Sequence, residues 1–176
     1  DEFLEKLTSK VKKLKSGNPV NNDVFIGVLA KENLAVKLEK QLEEALKLGA
    51  KIVLGGNRTG TYFEPTIVSN ITPEMAVFKE ETFGPLLAVS SFTTEIEALK
   101  MSNRSNFGLG VSLFSKDIKR MESYVSKLEE GAVFINSLVK SDPRLPFGGI
   151  KSSGYGRELG EEGIRAFVNI KTVFIS

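Results

Sequence analysis

Carboxylates, lysines, arginines, tyrosines and hydroxyls are the side chains available for chemistry in this chain, because its 176 residues include no cysteine and no histidine. Without Cys there is no thiolate nucleophile and no disulfide, and without Cys or His no zinc site of the usual kind. Without His there is no imidazole to serve as a base near neutral pH. The acids that could act as a pair are Glu80-Glu81, Glu129-Glu130 and Glu161-Glu162, with Asp142 standing apart. Adjacent acids at the edges of helices and loops are usually solvated, so none of these pairs indicates catalysis by itself.

Two strings carry more. Glu80-Glu81-Thr82-Phe83-Gly84-Pro85 joins acids, an aromatic ring and a turn pair ahead of an apolar run. It reads either as a turn with an apolar anchor or as a carboxylate and a ring beside a ligand, the carboxylate accepting from ribose hydroxyls and Phe83 packing on a flat group. Pro146-Phe147-Gly148-Gly149-Ile150-Lys151-Ser152-Ser153-Gly154 frees the backbone with glycines while one Phe can project into a pocket. Spacing leaves both pairs of readings open. The run Gly154-Tyr155-Gly156-Arg157-Glu158-Leu159-Gly160 is G-x-G-x-x-x-G after a loop, which departs from the G-x-G-x-x-G dinucleotide fingerprint between a strand and a helix. No P-loop pattern is present.

Elements that could position these strings follow from periodicity. Phe3, Leu4, Leu7, Val11 and Leu14 form an i, i+3/i+4 ladder, giving a helix from Asp1 to Lys15 whose lysines at 10, 12, 13 and 15 read as a solvated face. Leu34, Leu38, Leu42, Ala45 and Leu46 predict a second helix over 31–48, with Gly49 as its C-cap. Lys51 to Leu54 reads as a short buried strand, 62–71 as extended chain weakened by Pro65, and 86–89 as a strand. Helices are expected over 94–104 and 118–128, strands over 109–114 and 132–135. Residues 136–160 read as a long glycine-rich loop, 161–168 as a short helix and 171–176 as a terminal strand with two apolar faces. The alternation predicts an α/β fold, a mostly parallel sheet with helices on both faces. Hydrophobic residues at 41% and charged residues at 26% are ordinary for a globular chain, and a net charge of +2 argues against a dedicated nucleic-acid binder. No apolar run reaches the ~20 residues of a membrane span, and Asp1-Glu2-Phe3 shows no signal-peptide pattern, so the expected location is the cytoplasm.

Taken together, the strings resemble the NAD(P)-dependent aldehyde dehydrogenase superfamily. Glu80 to Pro85 is similar to its E-E-x-F-G-P motif, and Asn106-Phe107-Gly108-Leu109 to its Y/F-G-L segment. Gly131 to Asn136, Pro146 to Gly149, and Lys151 to Glu158 follow its C-terminal block in order and spacing. Within the superfamily, the stretch from Asn136 to Arg144 looks most like succinate-semialdehyde dehydrogenases. The resemblance implies a Cys thiolate attacking an aldehyde, hydride transfer to the nicotinamide of NAD or NADP, and hydrolysis of a thioester by a Glu-activated water. In the family the Cys, the Glu and the Rossmann domain all lie upstream of the region matched. The resemblance therefore implies a C-terminal part: residues 1–168 a partial catalytic domain lacking the nucleophile segment, 169–176 an oligomerisation strand. By resemblance, Glu81 binds the ribose on the nicotinamide side and Phe83 packs beside it. Ser141 helps hold a substrate carboxylate, Phe147 lines the aldehyde pocket, and Asn136 and Arg144 border it. No catalytic residue and no metal ligand is expected in this chain.

Three functional expectations follow. The first is a fragment of an aldehyde-oxidising enzyme, inactive alone and binding no cofactor alone. The alternatives are a non-catalytic oligomerisation or complementation partner, and a binding module that has lost the chemistry. Apolar surface that the rest of the family's catalytic domain would cover predicts self-association through sheet edges and the terminal strand. Neither nucleic acid nor membrane is an expected partner.

Overall fold

A computed structural model describes residues 2–176; Asp1, placed in the first helix by the sequence, lies outside the described residues. The chain divides into two compact units, Asp1–Thr93 and Thr94–Ser176.

In the first unit, helix α1 (Glu2–Val11) carries acids in its first turn and Lys10 in its last, matching the helix dipole. It ends one turn short of the expected Lys15. Its ladder residues Leu4, Leu7 and Val11 are only half-buried, and Phe3 is exposed. Helix α2 (Glu32–Lys47) buries Ala35, Leu38, Gln41, Leu42 and Ala45. The sequence put Leu34 and Leu46 on that face. The helix is turned so that Ala35 is buried in place of Leu34, and Leu46 is left exposed. Its end is a Schellman motif: Ala50 N–H donates to the Ala45 carbonyl at 3.0 Å and Gly49 N–H to Leu46 at 3.1 Å, with Gly49 at φ +97°.

Strand β1 (Lys51–Leu54) follows, then a hairpin of β2 (Arg58–Thr59) and β3 (Tyr62–Phe63), β4 (Thr66–Ser69), the short helix α3 (Ala76–Lys79) and β5 (Leu86–Ala88). The sheet order is β1-β4-β5, with β1 antiparallel and β5 parallel to β4. Central β4 is buried through Thr66, Ile67 and Val68, as a strand paired on both sides should be. Edge strand β1, expected to be buried, is exposed over Lys51, Ile52 and Val53. Leu38, Leu42, Phe63, Val68, Ile71, Met75, Val77 and Leu86 form the core against this sheet.

The second unit opens with α4 (Glu95–Asn103), whose N-cap Thr94 Oγ1 accepts from Glu97 N–H at 3.2 Å. Strands β6 (Phe107–Gly108) and β7 (Val111–Leu113) precede helix α5 (Ile118–Glu122), a 3-10 turn (Val125–Lys127) and β8 (Val133–Ile135). The helix expected over 118–128 is thus broken into two short pieces. β7 and β8 pair parallel; β6 pairs antiparallel with β9 (Ile150–Lys151). Helix α6 (Gly160–Arg165) closes the regular structure.

The pairing corrects the expected mostly parallel sheet. Among the described residues, two of the five strand pairs are parallel and three antiparallel, because the short hairpin and the return of residues 150–151 onto β6 bring strands back without a helical crossover. Residues 169–176 form no strand within this chain. Their apolar side chains, Val173, Phe174 and Ile175 among them, are exposed. No helix among the described residues is long and apolar enough to cross a membrane.

Candidate functional site

The 80–85 segment is held by its backbone and offers two of its side chains outward. Glu80 N–H donates to the Ala76 carbonyl at 2.8 Å as α3 ends, and Thr66 N–H donates to the Pro85 carbonyl at 2.8 Å, tying the segment to β4. Thr82 Oγ1 donates to the Leu86 carbonyl at 3.3 Å. At Gly84 the backbone lies so close to α2 that a Cβ there would meet Leu38 Cδ2 at 2.6 Å, which explains the glycine. Gln41, only 5% exposed, donates through Nε2 to Glu80 Oε2 at 3.2 Å and to the Glu81 carbonyl at 3.5 Å. Lys37, one turn earlier on α2, pairs with Glu80 at 3.4 Å. Against this anchored backbone, Glu81 is exposed and the Phe83 ring is 65% exposed. A carboxylate that accepts without donating, two residues from an uncovered aromatic face, suits a sugar diol joined to a flat ring.

In the second unit the 136–160 stretch is far from structureless. Phe147 and Glu158 exchange both backbone hydrogen bonds, at 2.7 and 2.8 Å. Gly160 N–H donates to the Pro143 carbonyl at 3.1 Å, and Ser152 N–H to Asn106 at 2.9 Å. Three backbone segments meet at glycines. A Cβ on Gly131 would lie 1.9 Å from the Gly148 carbonyl oxygen, and one on Gly148 would lie 2.6 Å from that of Gly156. Arg157 seals the crossing, donating from Nη1 to the carbonyls of Gly149 and Gly156 at 2.9 and 2.7 Å. Phe147, half-buried, projects from this fixed backbone.

Ser141 is exposed. Beside it, Asp142 accepts from Arg144 N–H at 3.0 Å, Nε at 2.9 Å and Nη2 at 2.6 Å. These bonds, with the arginine's charge, hold the Asp142 carboxyl well below the usual carboxylate range and raise Arg144 above its own. Arg144 is therefore committed to a neighbour. Asn136 is committed too: at φ +53°, its Oδ1 accepts from Ser115 N–H at 2.9 Å and its Nδ2 donates to the Ser115 carbonyl at 2.8 Å. Both side chains thus make local bonds that shape the chain.

The structure joins Glu81 with Phe83 on one anchored segment of the first unit, and sets Ser141 and Phe147 on another in the second. Sequence reading did not single out Gln41 or Arg157. For Gln41 a signal existed: it is a polar residue flanked by Leu38 and Leu42 on the apolar stripe of a helix. Among the described residues, no group of three or more His, Cys, Asp or Glu side chains converges as a metal site would require. An open groove along α1, lined by Leu4, Thr8, Lys12 and Val53 among others, contains none of the site residues.

Comparison with known proteins identifies the family. The aldehyde dehydrogenase family model matches residues 1–173. The succinate-semialdehyde dehydrogenase [NADP(+)] of Mycobacterium leprae is 40% identical over the whole chain, and that of Escherichia coli, described as using NAD(P)+, is 39% identical over 98% of it. The chain spans 39% and 38% of the lengths of these two relatives. Among solved structures, succinic semialdehyde dehydrogenase from Streptococcus pyogenes, in complex with NADP+, superposes with a TM-score of 0.93 at 38% identity, over 99% of this chain and 39% of that one. Betaine aldehyde dehydrogenase from Staphylococcus aureus, in complex with NAD+, gives 0.88 at 38% identity, over 95% and 35%. With a family model covering nearly every residue and relatives this similar along its full length, the chain belongs to the aldehyde dehydrogenase family.

Proposed function

We propose that this chain is the C-terminal part of an enzyme that oxidises succinate semialdehyde to the acid with NAD(P)+. The observation that carries the reading is identity of about two residues in five, along the whole chain, to succinate-semialdehyde dehydrogenases. When bound, the cofactor accepts the hydride. The chain's own residues bind and orient: the Glu81 carboxylate accepts from the ribose hydroxyls, and Phe83 packs its open face against the adjoining group. Ser141 donates its hydroxyl to the substrate carboxylate, and Phe147 shields the aldehyde. Residues 1–168 are read as part of the catalytic domain. The thiolate and the dinucleotide-binding domain come from other segments, since no cysteine is present. The chain alone is accordingly read as inactive and unable to retain cofactor.

The test is an assay of the complete gene product and of residues 1–176 with succinate semialdehyde, a neutral aldehyde of similar length, NAD+ and NADP+. The expected result is turnover by the complete product, preferring the carboxylated aldehyde, and none by residues 1–176. Turnover by the 176 residues alone, or no preference for the carboxylate, overturns the corresponding claim.

A second reading, as an oligomerisation or complementation partner, is favoured by one feature. Residues 169–176 present Ile170, Val173, Phe174 and Ile175 to solvent without an intrachain strand partner. We read this segment as an edge that pairs with a neighbouring copy.

A further inference from the structure

We propose that Gln41 is a positioning residue for cofactor binding, setting from helix α2 the backbone position from which Glu81 and Phe83 meet the nicotinamide-side ribose. The proposal rests on the reading of Glu81 and Phe83 given above and adds a residue that touches neither ligand.

Four observations converge. Gln41 is one of only two buried polar or charged residues among the described residues, the other being Thr66 within the sheet. An amide at such a position on a packed helix costs stability unless its hydrogen bonds are made. Its donor group is shared between the Glu80 carboxylate and the Glu81 carbonyl, so both bonds fall on the segment that carries the proposed ligands. Lys37 and Leu38 of the same helix touch that segment as well, Lys37 through an ion pair with Glu80 and Leu38 through close packing under Gly84. The Lys37–Glu80 pair is exposed on both sides, 60% and 53%, and such pairs hold little against solvent. Backbone bonds at Glu80 and Pro85 tie down the two ends of the segment, and Gly84 packs on Leu38, which leaves the Glu81 peptide between these ties. The Gln41 amide adds a restraint at that peptide, because it donates to the Glu80 side chain and to the Glu81 carbonyl together. Loss of that grip lets the Glu81 peptide turn, which moves its carboxylate relative to Phe83.

The experiment uses the complete gene product with Gln41→Met, which keeps the length and volume of the side chain and removes the donor. Two readouts are taken: amide hydrogen exchange over residues 80–86, and steady-state kinetics. The expected result is faster exchange in that segment, with protection over β4 unchanged. In kinetics we expect an increase of about fivefold in KM for the nicotinamide cofactor, the equivalent of one hydrogen bond, with kcat and the aldehyde KM nearly unaltered. Glu80→Ala, at a half-exposed side chain, removes the acceptor from the other side and is expected to shift both readouts in the same direction by less. Unchanged exchange over 80–86 in both variants overturns the proposal, as does a fall in kcat that leaves the cofactor KM fixed. Glu81→Gln separates the two claims. If it leaves the cofactor KM unchanged, the ribose reading fails, while the exchange data still decide whether Gln41 positions the segment.

Discussion

Arg144 grips Asp142 at both carboxylate oxygens, Nε to Oδ1 at 2.9 Å and Nη2 to Oδ2 at 2.6 Å, and adds its backbone N–H to Oδ1 at 3.0 Å. The grip lies one residue beyond Ser141, so it shapes the turn from which that hydroxyl is presented. The Arg144 bonds lower the Asp142 pKa in the folded chain from the ordinary 3.8. The sign follows: the carboxylate's contribution to the fold is present above that ordinary value and is lost as pH falls through the lowered one. Carboxyl NMR should show Asp142 still ionised at the ordinary carboxyl midpoint of 3.8, and Arg144→Ala should return it toward that value. An Asp142 midpoint near 3.8 in the unaltered chain would mean that the grip does not hold in solution.

Ser141→Ala should act on one class of substrate. A hydroxyl bonded to a charged carboxylate is worth about 1.5–3 kcal/mol, so KM for succinate semialdehyde should rise by roughly 10- to 100-fold in the complete gene product. Neutral aldehydes of the same length should be unaffected. An equal rise for both would assign Ser141 to general pocket shape.

Phe83→Ala should weaken the cofactor without harming the fold. The ring is largely uncovered, so thermal stability should stay within about 0.5 kcal/mol of the parent. Cofactor affinity should fall several-fold, read by titration of the complete gene product with NADP+. A large loss of stability instead would mark Phe83 as an anchor, the plainer of the two readings its sequence allowed.

Gly131→Ala tests the glycine crossing. With 1.9 Å between the new Cβ and the Gly148 carbonyl oxygen, the neighbouring backbone must move. Such overpacking costs about 1–3 kcal/mol or more, visible as a lowered midpoint in urea. Gly49→Ala is the comparison: nothing lies within 4 Å of its Cβ, and the strain there is conformational, from φ +97°.

Phe174→Glu should reduce self-association. The side chain is exposed in the single chain, so the change costs the monomer little. Analytical ultracentrifugation should show a shift to smaller species. An unaltered size distribution would remove residues 169–176 from the interface.

Much of the secondary structure was legible because apolar spacing and caps act locally. The α2 stripe, the Gly49 stop and the helix from 94 are each written within a few residues. Three features were not legible for a common reason, in that each depends on partners distant in sequence. β1 looked buried from Ile52, Val53 and Leu54, yet its place at a sheet edge is decided by where β4 and β5 fall. The 136–160 stretch looked like loop because glycines mask strand signals, and its order comes from Gly131 and Asn106 far upstream. The terminal segment looked like a strand, and a strand needs a partner that this single chain does not supply. The motif strings put forward Glu81, Phe83, Ser141 and Phe147, and the structure shows three of them exposed and Phe147 half-buried. Of the residues that brace the backbones, Gln41 carries no motif, and Arg157 sits within the 151–158 block without its spacing announcing that role.

Thr94 stands at the first position of the second unit and caps its first helix with its own hydroxyl. The cap at the start of α4 is therefore encoded downstream of the boundary, in Thr94 and Glu97. A gene broken between codons 93 and 94 would leave each product with its own folding instructions at the cut. That makes the junction a place to divide the gene and ask whether each half folds on its own.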